Sequence, residues 1–219
     1  MKLSIIIPVF NEEKTLERAI KKVFKASILD FEKEIIVVDD KSTDKSLEIL
    51  KKIKGIKLLE HKKNFGKGKA IQTALKCVTG DYILIQDADL EYDPNDYSIL
   101  LKDLNGVVYG SRNINPENRG YFIFVLGVRF LTSFINLIFN KKLTDSYTCY
   151  KLFPVDVLKS LNLKSSGFEI EAEITVKLLK KKINIKEVPI HYYPRKFKQG
   201  KKIKIKDGLK GFFTILKYM

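Results

Sequence analysis

Apolar and polar positions alternate in blocks along the first half of the chain. Short apolar runs predict five strands, at Leu3–Pro8, Glu34–Asp39, Ile56–Glu60, Tyr82–Gln86 and Val107–Tyr109. Helical spacing of apolar residues predicts helices from about Glu12 with Asn11 as the cap, from Ser42 or Thr43 to about Lys52, and over Lys69–Val78. Strands separated by helices form βαβ units. The pattern therefore predicts an α/β fold with a mainly parallel central sheet and helices on both faces.

Polar clusters directly follow three of the predicted strands. They are Asn11–Glu13, Asp39–Asp40 and Asp87–Asp89. Ligands of parallel α/β sheets bind beyond the carboxyl ends of the strands. We therefore expect the three clusters to lie together at one edge of the sheet and to form the functional site.

The cluster after the fourth predicted strand has carboxylates at alternate positions, Asp87, Asp89 and Glu91. Hard divalent cations such as Mg²⁺ and Mn²⁺ prefer oxygen ligands, and in nucleotide sites they bind one or two carboxylates together with phosphates. A solvated Asx turn ahead of a helix capped at Asp93 is the alternative interpretation. The other acidic clusters at the same predicted edge favour a ligand site.

Several enzyme classes are disfavoured because their motifs are missing. The basic, glycine-broken turn Asn64–Lys69 matches neither the Walker A loop nor the dinucleotide-binding GxGxxG pattern, which argues against P-loop ATPases and dinucleotide dehydrogenases. The histidines His61 and His191 lie in no Ser- or Cys-centred signature. No Cys/His pair has the spacing of zinc ligands.

The most apolar segment of the chain is Tyr121–Phe139. A narrow polar stripe runs along it, formed by Arg129, Thr132, Ser133 and Asn136. A central arginine costs roughly 2.5–3.5 kcal/mol in a membrane-spanning helix. The pattern therefore predicts an amphipathic helix that lies in a membrane interface or packs in a protein groove, and a helix buried by its own domain is the alternative.

No repeat or flexible linker divides the chain, so residues 1–219 are expected to form a single domain. Glu169–Lys181 predicts another amphipathic helix, and Ile183–Tyr193 predicts an extended segment. Two cysteines are too few for a disulfide scaffold, and the N-terminus lacks the features of a signal peptide. These observations predict a protein of the cytoplasmic side.

Positive charge is concentrated at the C-terminus. The chain has 41 Lys and Arg against 26 Asp and Glu, a net charge of +15, and residues 195–219 contribute nine minus one, or +8. Such a segment suits nucleic acid, anionic lipid or a phosphorylated ligand. Nucleic acid is disfavoured, because acidic residues crowd the strand ends and no nucleic-acid-binding motif is present.

Eight motifs in order resemble family 2 glycosyltransferases of the GT-A fold: PVFNEE, VVDDKSTD, NFGKGKA, QDADLEYDP, YGSR, TDSYTCYK, GFEIEAEI and GKKIKIKDG. The resemblance is greatest to the branch that transfers mannose or glucose to dolichyl or polyprenyl phosphate. It extends from about Leu3 to Tyr218. It implies a nucleotide-sugar-binding half over residues 1–112, an acceptor half over 113–194 with the amphipathic helix 121–139, and a basic C-terminal segment over 195–219.

The resemblance also implies roles for individual residues. The implied nucleotide-sugar-binding residues are Pro8, Phe10, Glu12, Asp39, Lys67, Asp87, Ala88, Asp89, Arg112, Arg195 and Lys201. Asp89 and Glu91 would hold Mg²⁺ or Mn²⁺ against the diphosphate. Arg112 would reach a phosphate, and Asp145 occupies the position of the family's catalytic base. Tyr147 departs from the family pattern, in which glutamate is common.

These expectations combine into a metal-dependent inverting glycosyltransferase. The donor would be GDP-mannose or UDP-glucose and the acceptor a polyprenyl or dolichyl phosphate, at the cytoplasmic face of a membrane to which the protein binds peripherally. A phosphate acceptor is already ionised and needs no strong base, whereas a hydroxyl acceptor would require Asp145 to take a proton. A saccharide hydroxyl in cell-surface glycan synthesis is the alternative acceptor. A non-catalytic nucleotide- or nucleic-acid-binding module is the alternative of another class, and the oligomeric state stays open.

Overall fold

A computed structural model of the protein describes residues 1–102, 104, 106–115, 122–195, 200, 202 and 205–219, with the backbone alone at 122–125 and 205. Seven strands of this part of the chain form one sheet in the order β3-β2-β1-β4-β6-β5-β7. They are β1 Lys2–Val9, β2 Glu32–Asp39, β3 Lys57–Glu60, β4 Tyr82–Ile85, β5 Val107–Ser111, β6 Lys151–Pro154 and β7 Ile185–Pro189. All neighbouring strands are parallel except that β6 runs antiparallel to β4 and β5.

The α/β class, the mainly parallel sheet and the five predicted strands are confirmed. Consecutive residues of β1 are buried, among them Ile5, Ile6 and Ile7. Because successive side chains of a strand point to opposite faces, this burial means that both faces of the sheet are covered.

Eight α-helices surround the sheet in the described residues. They are α1 Leu16–Lys25, α2 Ser46–Lys52, α3 Lys67–Leu75, α4 Tyr97–Leu101, α5 Phe122–Phe139, α6 Val155–Ser160, α7 Ile170–Lys180 and α8 Ile205–Tyr218, and a 3₁₀ turn at Pro94–Asp96 precedes α4. The sequence did not predict β6, α6 or α8. The helix capped at Asp93, offered by the sequence as part of the alternative interpretation of the acidic turn, is present as the 3₁₀ turn followed by α4, and the Asp93 side chain accepts a hydrogen bond from the Asn95 N–H. No helix among these residues is both long and apolar enough to cross a membrane.

The predicted helix caps after β1 and β2 are wrong. Asn11 lies four residues before Thr15, the actual cap position of α1, and has a φ of 52°. Its side-chain oxygen instead accepts a hydrogen bond from the Thr43 backbone N–H at 2.7 Å, and its own N–H donates to the Ser42 hydroxyl at 3.0 Å. These contacts join the loops that follow two neighbouring strands, so the polar residues hold the edge of the sheet together.

The polar stripe on α5 does not lie on one exposed face. Thr132 is buried and hydrogen-bonded to Ser146, and Asn136 exchanges two hydrogen bonds with the backbone of Leu143. Arg129 and Ser133, by contrast, are exposed. The stripe therefore fixes the loop after α5 with half of its members, a role that helical spacing alone did not indicate.

A smaller core cluster lies between α5, α7 and α8, and Ile185 of β7 packs against it. Its buried members are Leu131, Ile135, Ala172, Val176, Leu179 and Ile215. The C-terminal segment, expected only as a basic stretch, thus folds into a helix whose inner face packs on α7. Its lysines lie on the outer face of the helix. The net charge of the segment therefore gave no indication that it is helical.

The turn before α3 requires glycine because another loop approaches it closely. Gly66 has a φ of 95°, and a Cβ placed on Gly68 would lie 2.3 Å from the carbonyl oxygen of Ser165. The Lys69 N–H donates to the Ser166 carbonyl at 3.0 Å, which holds the two loops together. The NFGKGKA motif is therefore a packing contact between α3 and the loop before α7.

Gly68→Ala is expected to lower the free energy of unfolding by about 1–3 kcal/mol, because backbone atoms must move to admit the methyl group. Gly127→Ala on α5 is the matched control, since a Cβ there would meet nothing within 4 Å. Removing a helix glycine should raise the free energy of unfolding by about 0.5–1 kcal/mol. Urea denaturation measures both, and equal changes of the same sign would contradict this packing.

Candidate active site

The ends of β1, β2 and β4 meet as the sequence predicted. Val9 and Asp39 are register partners in neighbouring parallel strands. The Gln86 backbone N–H donates to the Ile6 carbonyl at 2.9 Å, which places the residues after β4 alongside β1. The chain leaves β1 toward β2 and reaches β4 on the other side of β1, the kind of switch point where open α/β sheets bind ligands.

Gln86 anchors the loop that carries the acidic residues. Its side-chain oxygen accepts hydrogen bonds from the hydroxyls of Tyr97 and Tyr150, both at 2.6 Å, and its side-chain nitrogen donates to the Asp87 carbonyl at 2.8 Å. Gln86 is almost fully buried. The backbone of Asp87 is therefore held rigidly by the core.

Arg195 binds three of the carboxylates at this edge. Its Nη1 lies 2.9 Å from Glu12 Oε2, its Nη2 lies 2.9 Å from Asp89 Oδ2, and its Nε lies 3.6 Å from Glu91 Oε1. Lys202 adds a second cation on Glu12 at 2.5 Å and also donates to the carbonyl of Phe10. Arg195 and Lys202 of the basic C-terminal segment therefore bind the acidic cluster, which consists of Glu12, Asp87, Asp89 and Glu91.

The acidic cluster is crowded with negative charge. Burial, followed by the neighbouring carboxylates of Asp87 and Glu91, raises the pKa of Asp89 to about 7 although Arg195 opposes the shift. Burial acts to lower the pKa of Arg195, but Asp89 and Glu12 outweigh it and the pKa is raised. The repulsion between these neighbouring carboxylates favours an additional cation at the cluster.

The donor set at this cluster suits a hard divalent cation. Asp87 and Asp89 offer carboxylate oxygens at the strand ends, whereas Glu91 uses Oε2 on the Tyr192 hydroxyl at 2.5 Å and Oε1 on the Arg195 N–H at 2.9 Å. Among the described residues, no three His, Cys, Asp or Glu side chains are arranged as a metal cage. A cation bound here would thus share its ligands with a phosphate, as Mg²⁺ commonly does.

Lys67 connects the acidic cluster to the second half of the fold. As the first residue of α3, it lies 2.9 Å from Asp87 Oδ1 and 3.0 Å from Glu171 Oε1 on α7. Glu171 in turn pairs with Lys151, which is fully buried on β6 and lies over the ring of Tyr109. Lys67 lowers the pKa of Asp87 against the effect of burial. The alternating charges leave no uncompensated ion in this interior chain of contacts.

Asp39 retains a free acceptor next to this cluster. It is 1% exposed, and its Oδ2 accepts a hydrogen bond from the Ser42 N–H at 3.1 Å. Its Oδ1 is buried and has no hydrogen-bond partner in the described residues. A buried acceptor without a donor is costly, so Asp39 fits the predicted contact with a base or ribose that supplies one.

The two predicted catalytic residues form one closed pair. Arg112 donates from Nε to Asp145 Oδ2 at 2.7 Å, from Nη2 to Oδ1 at 2.8 Å, and from its backbone N–H to Oδ2 at 3.1 Å. Asp145 has no exposed surface. Burial acts to raise the pKa of Asp145, but Arg112 outweighs it and lowers the pKa. In this geometry the carboxylate fixes Arg112 and does not face solvent.

Tyr192 joins that pair to the acidic cluster. Arg112 lies over its ring, 5.1 Å from the centroid, while the Tyr192 hydroxyl binds Glu91.

Sequence reasoning missed Tyr192, Glu171 and Lys151, although Glu171 lies within the GFEIEAEI motif. Of the predicted donor residues, Lys201 lies outside the described residues, and Ala88 is buried and offers only its backbone. Pro8 and Phe10 lie at the end of β1 and just after it.

Comparison with known proteins shows what this chain is similar to. The family model described as Glycosyl transferase family 2 matches residues 4–161. The low-salt glycan biosynthesis hexosyltransferase Agl6 of Haloferax volcanii is 31% identical over 88% of this chain and 48% of its own length. The dolichyl-phosphate beta-glucosyltransferase ALG5D of Trichomonas vaginalis is 26% identical over 98% of this chain and 72% of its own.

A solved structure shares the fold over almost the whole chain. Glucosyl-3-phosphoglycerate synthase from Mycobacterium tuberculosis, in complex with Mn²⁺, UDP and phosphoglyceric acid, superposes with a TM-score of 0.78. The match has 19% sequence identity and covers 99% of this chain and 78% of that one. The GT-A fold expected from the motifs is thus confirmed.

Asp145→Asn is expected to lower the free energy of unfolding by about 3–5 kcal/mol at neutral pH, because the largely buried Arg112 loses its charged partner. Since Arg112 lowers the pKa of Asp145, this stabilisation is present above the ordinary aspartate pKa of about 3.9 and is lost as the pH falls through the lower pKa of the folded state.

The measurement is urea unfolding of both proteins from neutral pH to about pH 3. The difference in free energy of unfolding between the parent protein and Asp145→Asn should be constant at neutral pH and should decrease only below about pH 4. Asp30→Asn, at an exposed aspartate, is the control and should match the parent protein throughout. A gap that does not depend on pH would contradict the charged pairing.

Proposed function

The chain belongs to glycosyl transferase family 2, and from that premise we propose that it transfers a hexose, with inversion, from a nucleotide sugar to a polyprenyl or dolichyl phosphate. The donor is GDP-mannose or UDP-glucose, and Mg²⁺ or Mn²⁺ is required. The protein acts at the cytoplasmic face of a membrane, to which it binds peripherally. Its relative ALG5D is named for a dolichyl-phosphate acceptor, which supports this choice.

The closed pair of Asp145 and Arg112 is the observation that supports a phosphate as the acceptor. A hydroxyl acceptor must lose a proton as it attacks, so it needs an accessible base. Asp145 is fully buried and its two oxygens are held by Arg112. A phosphate monoester, whose second pKa is about 6, is already an oxyanion at neutral pH and attacks without a base. This favours the lipid phosphate over a saccharide hydroxyl.

Arg112 is then the residue that binds a phosphate, and Asp145 is its positioning residue. A guanidinium fixed in two directions, by Asp145 in its plane and by the Tyr192 ring below, offers a preorganised charge to an incoming phosphate. Fixed orientation raises the effective concentration of the nucleophile behind the anomeric carbon. Inversion requires that alignment.

The leaving nucleoside diphosphate needs positive charge. Lys67, Arg195 and Lys202 are already at the cluster and would stabilise the diphosphate as the glycosidic bond breaks. A divalent cation held by Asp89 and its neighbours would polarise and neutralise the same group. Asp39 would accept a hydrogen bond from the base or ribose through its unpartnered Oδ1.

An exposed apolar surface on α5 and α8 supports membrane binding. Phe130 on α5 and Phe213 on α8 are 62% and 65% exposed, and Phe212 contacts both rings, with centroids 6.3 Å and 5.9 Å away. Leu137 and Leu209 extend the surface. The same outer face of α8 carries the exposed lysines Lys206, Lys210 and Lys217. Apolar side chains flanked by lysines are typical of helices that lie in an anionic membrane interface.

The reaction is tested by incubating the purified protein with radiolabelled GDP-mannose or UDP-glucose, Mg²⁺ or Mn²⁺, and a short polyprenyl phosphate. Label from one donor should enter the organic phase. The unphosphorylated polyprenol with the same chain is the matched acceptor and should receive none. Asp89→Ala should reduce transfer at least about a hundredfold, since the leaving group loses its stabilisation, whereas Asp30→Ala should leave it unchanged.

Transfer to polyprenol at a rate similar to that of the phosphate would refute the acceptor class while leaving the transferase intact. Slow hydrolysis of a donor without transfer to either lipid would support the donor site and redirect the search to saccharide acceptors. Neither transfer nor hydrolysis with any donor would refute the proposed reaction.

Membrane binding is tested by sedimentation with phosphatidylcholine vesicles that contain or lack phosphatidylglycerol. The protein should bind the anionic vesicles and be released by salt. Phe213→Glu should weaken binding at least about tenfold, because burial of a phenylalanine contributes about 1.5–3 kcal/mol. Leu29→Glu is the control, since Leu29 is 53% exposed in the loop before β2 and is not part of the surface on α5 and α8. Equal loss in both variants would argue against this surface.

A further inference from the structure

Arg195 occupies the centre of the acidic cluster with its entire guanidinium group. The Arg195 side chain is 12% exposed, and its Nη2 is shared between Asp89 Oδ2 at 2.9 Å and Glu12 Oε1 at 3.2 Å. Three carboxylates from two different loops thus converge on one side chain. A position surrounded by carboxylates in this way is one that any cation would compete for.

The backbone of Arg195 is anchored independently of its side chain. Its N–H donates to Glu91 Oε1 at 2.9 Å, and the Tyr193 N–H donates to the Glu91 carbonyl at 2.8 Å. Glu91 is itself held by the Tyr192 hydroxyl. The guanidinium can therefore change partners by rotating its own side chain, while the chain around it stays attached to the β4 loop.

The Arg195 guanidinium has two possible kinds of partner, the carboxylates of the acidic cluster and the phosphates of a bound nucleotide. It binds the phosphates more strongly. Arginine binds phosphate oxygens through two parallel hydrogen bonds, and a diphosphate brings several negative charges at once. A divalent cation at Asp89 and a guanidinium on the same carboxylate would repel each other. The cation alone must therefore displace Arg195 at a cost in free energy, whereas a nucleoside diphosphate offers the guanidinium a new partner.

We propose that Arg195 is the protein's own counter-cation for Asp89, and that a divalent cation binds well there only when a nucleoside diphosphate draws the guanidinium away. This inference rests on the metal-dependent donor site proposed above. It makes metal and nucleotide binding cooperative, and by linkage each ligand strengthens the other by the same factor. It also gives Glu91 a role as the anchor of Arg195.

The test measures the affinity for Mn²⁺, by the electron paramagnetic resonance signal of the free ion, without nucleotide and with saturating UDP or GDP. Without nucleotide, Arg195→Gln should bind Mn²⁺ about tenfold more tightly than the parent protein, within the usual range of such couplings. With nucleotide, both proteins should gain affinity because the diphosphate supplies further ligands to the ion, and the gain should be smaller, by about tenfold, in the variant. Arg195→Lys, which keeps the charge but cannot fork between two carboxylates, should fall between them.

Lys202→Gln is the matched control, because it removes one positive charge from Glu12 without touching Asp89 in the described contacts. Exposed Arg18→Gln controls for net charge and should resemble the parent protein. Equal Mn²⁺ affinity in Arg195→Gln and the parent protein, or an equal gain in Lys202→Gln, would overturn the inference while leaving metal dependence intact. Absence of Mn²⁺ binding in every protein, with or without either nucleotide, would overturn both the inference and the proposed metal site.

Discussion

The structure depends on the neutralisation of carboxylates that are gathered at one edge of the sheet. Glu12, Asp87, Asp89 and Glu91 come from two loops that follow adjacent strands, and buried like charges repel strongly. The compensating cations come from elsewhere: Lys67 from the start of α3, and Arg195 and Lys202 from the C-terminal segment. The last part of the chain must therefore return to the first strand before the site is electrostatically complete. The charge balance of the site therefore depends on the folding of the whole chain.

The sequence was most informative where one physical rule acts locally. Apolar runs such as Ile5–Ile7 mark strands that are buried on both faces, and polar residues after those strands must meet because parallel strands end at the same edge. The rule fails for β6, a four-residue strand that begins with the charged Lys151. Lys151 is tolerated in the sheet only because Glu171, twenty positions later, supplies the opposite charge. No local pattern contains that partner.

The same reasoning explains which site residues stayed unseen. Tyr192 contacts both Arg112 and Glu91. These contacts depend on how the segment after β7 packs against the loop that follows β4. The resemblance implied a catalytic role for Asp145, but the burial of Asp145 and its pairing with Arg112 decide what its carboxylate can do. A motif identifies the residue type at a position. Whether a carboxylate faces a substrate or a neighbouring arginine is decided by packing.

The antiparallel strand β6 has a consequence for the order in which the protein assembles. It lies between β4 and β5, so β5 has no strand beside it among the residues that precede it in the chain. An N-terminal portion ending near residue 115 can pair β3, β2, β1 and β4, but leaves one edge of β4 open and β5 unattached. Unpaired edges of this kind recruit other strands during synthesis. The nascent chain therefore needs residues 151–154 to close its sheet, and arrest of translation before them would leave an aggregation-prone intermediate.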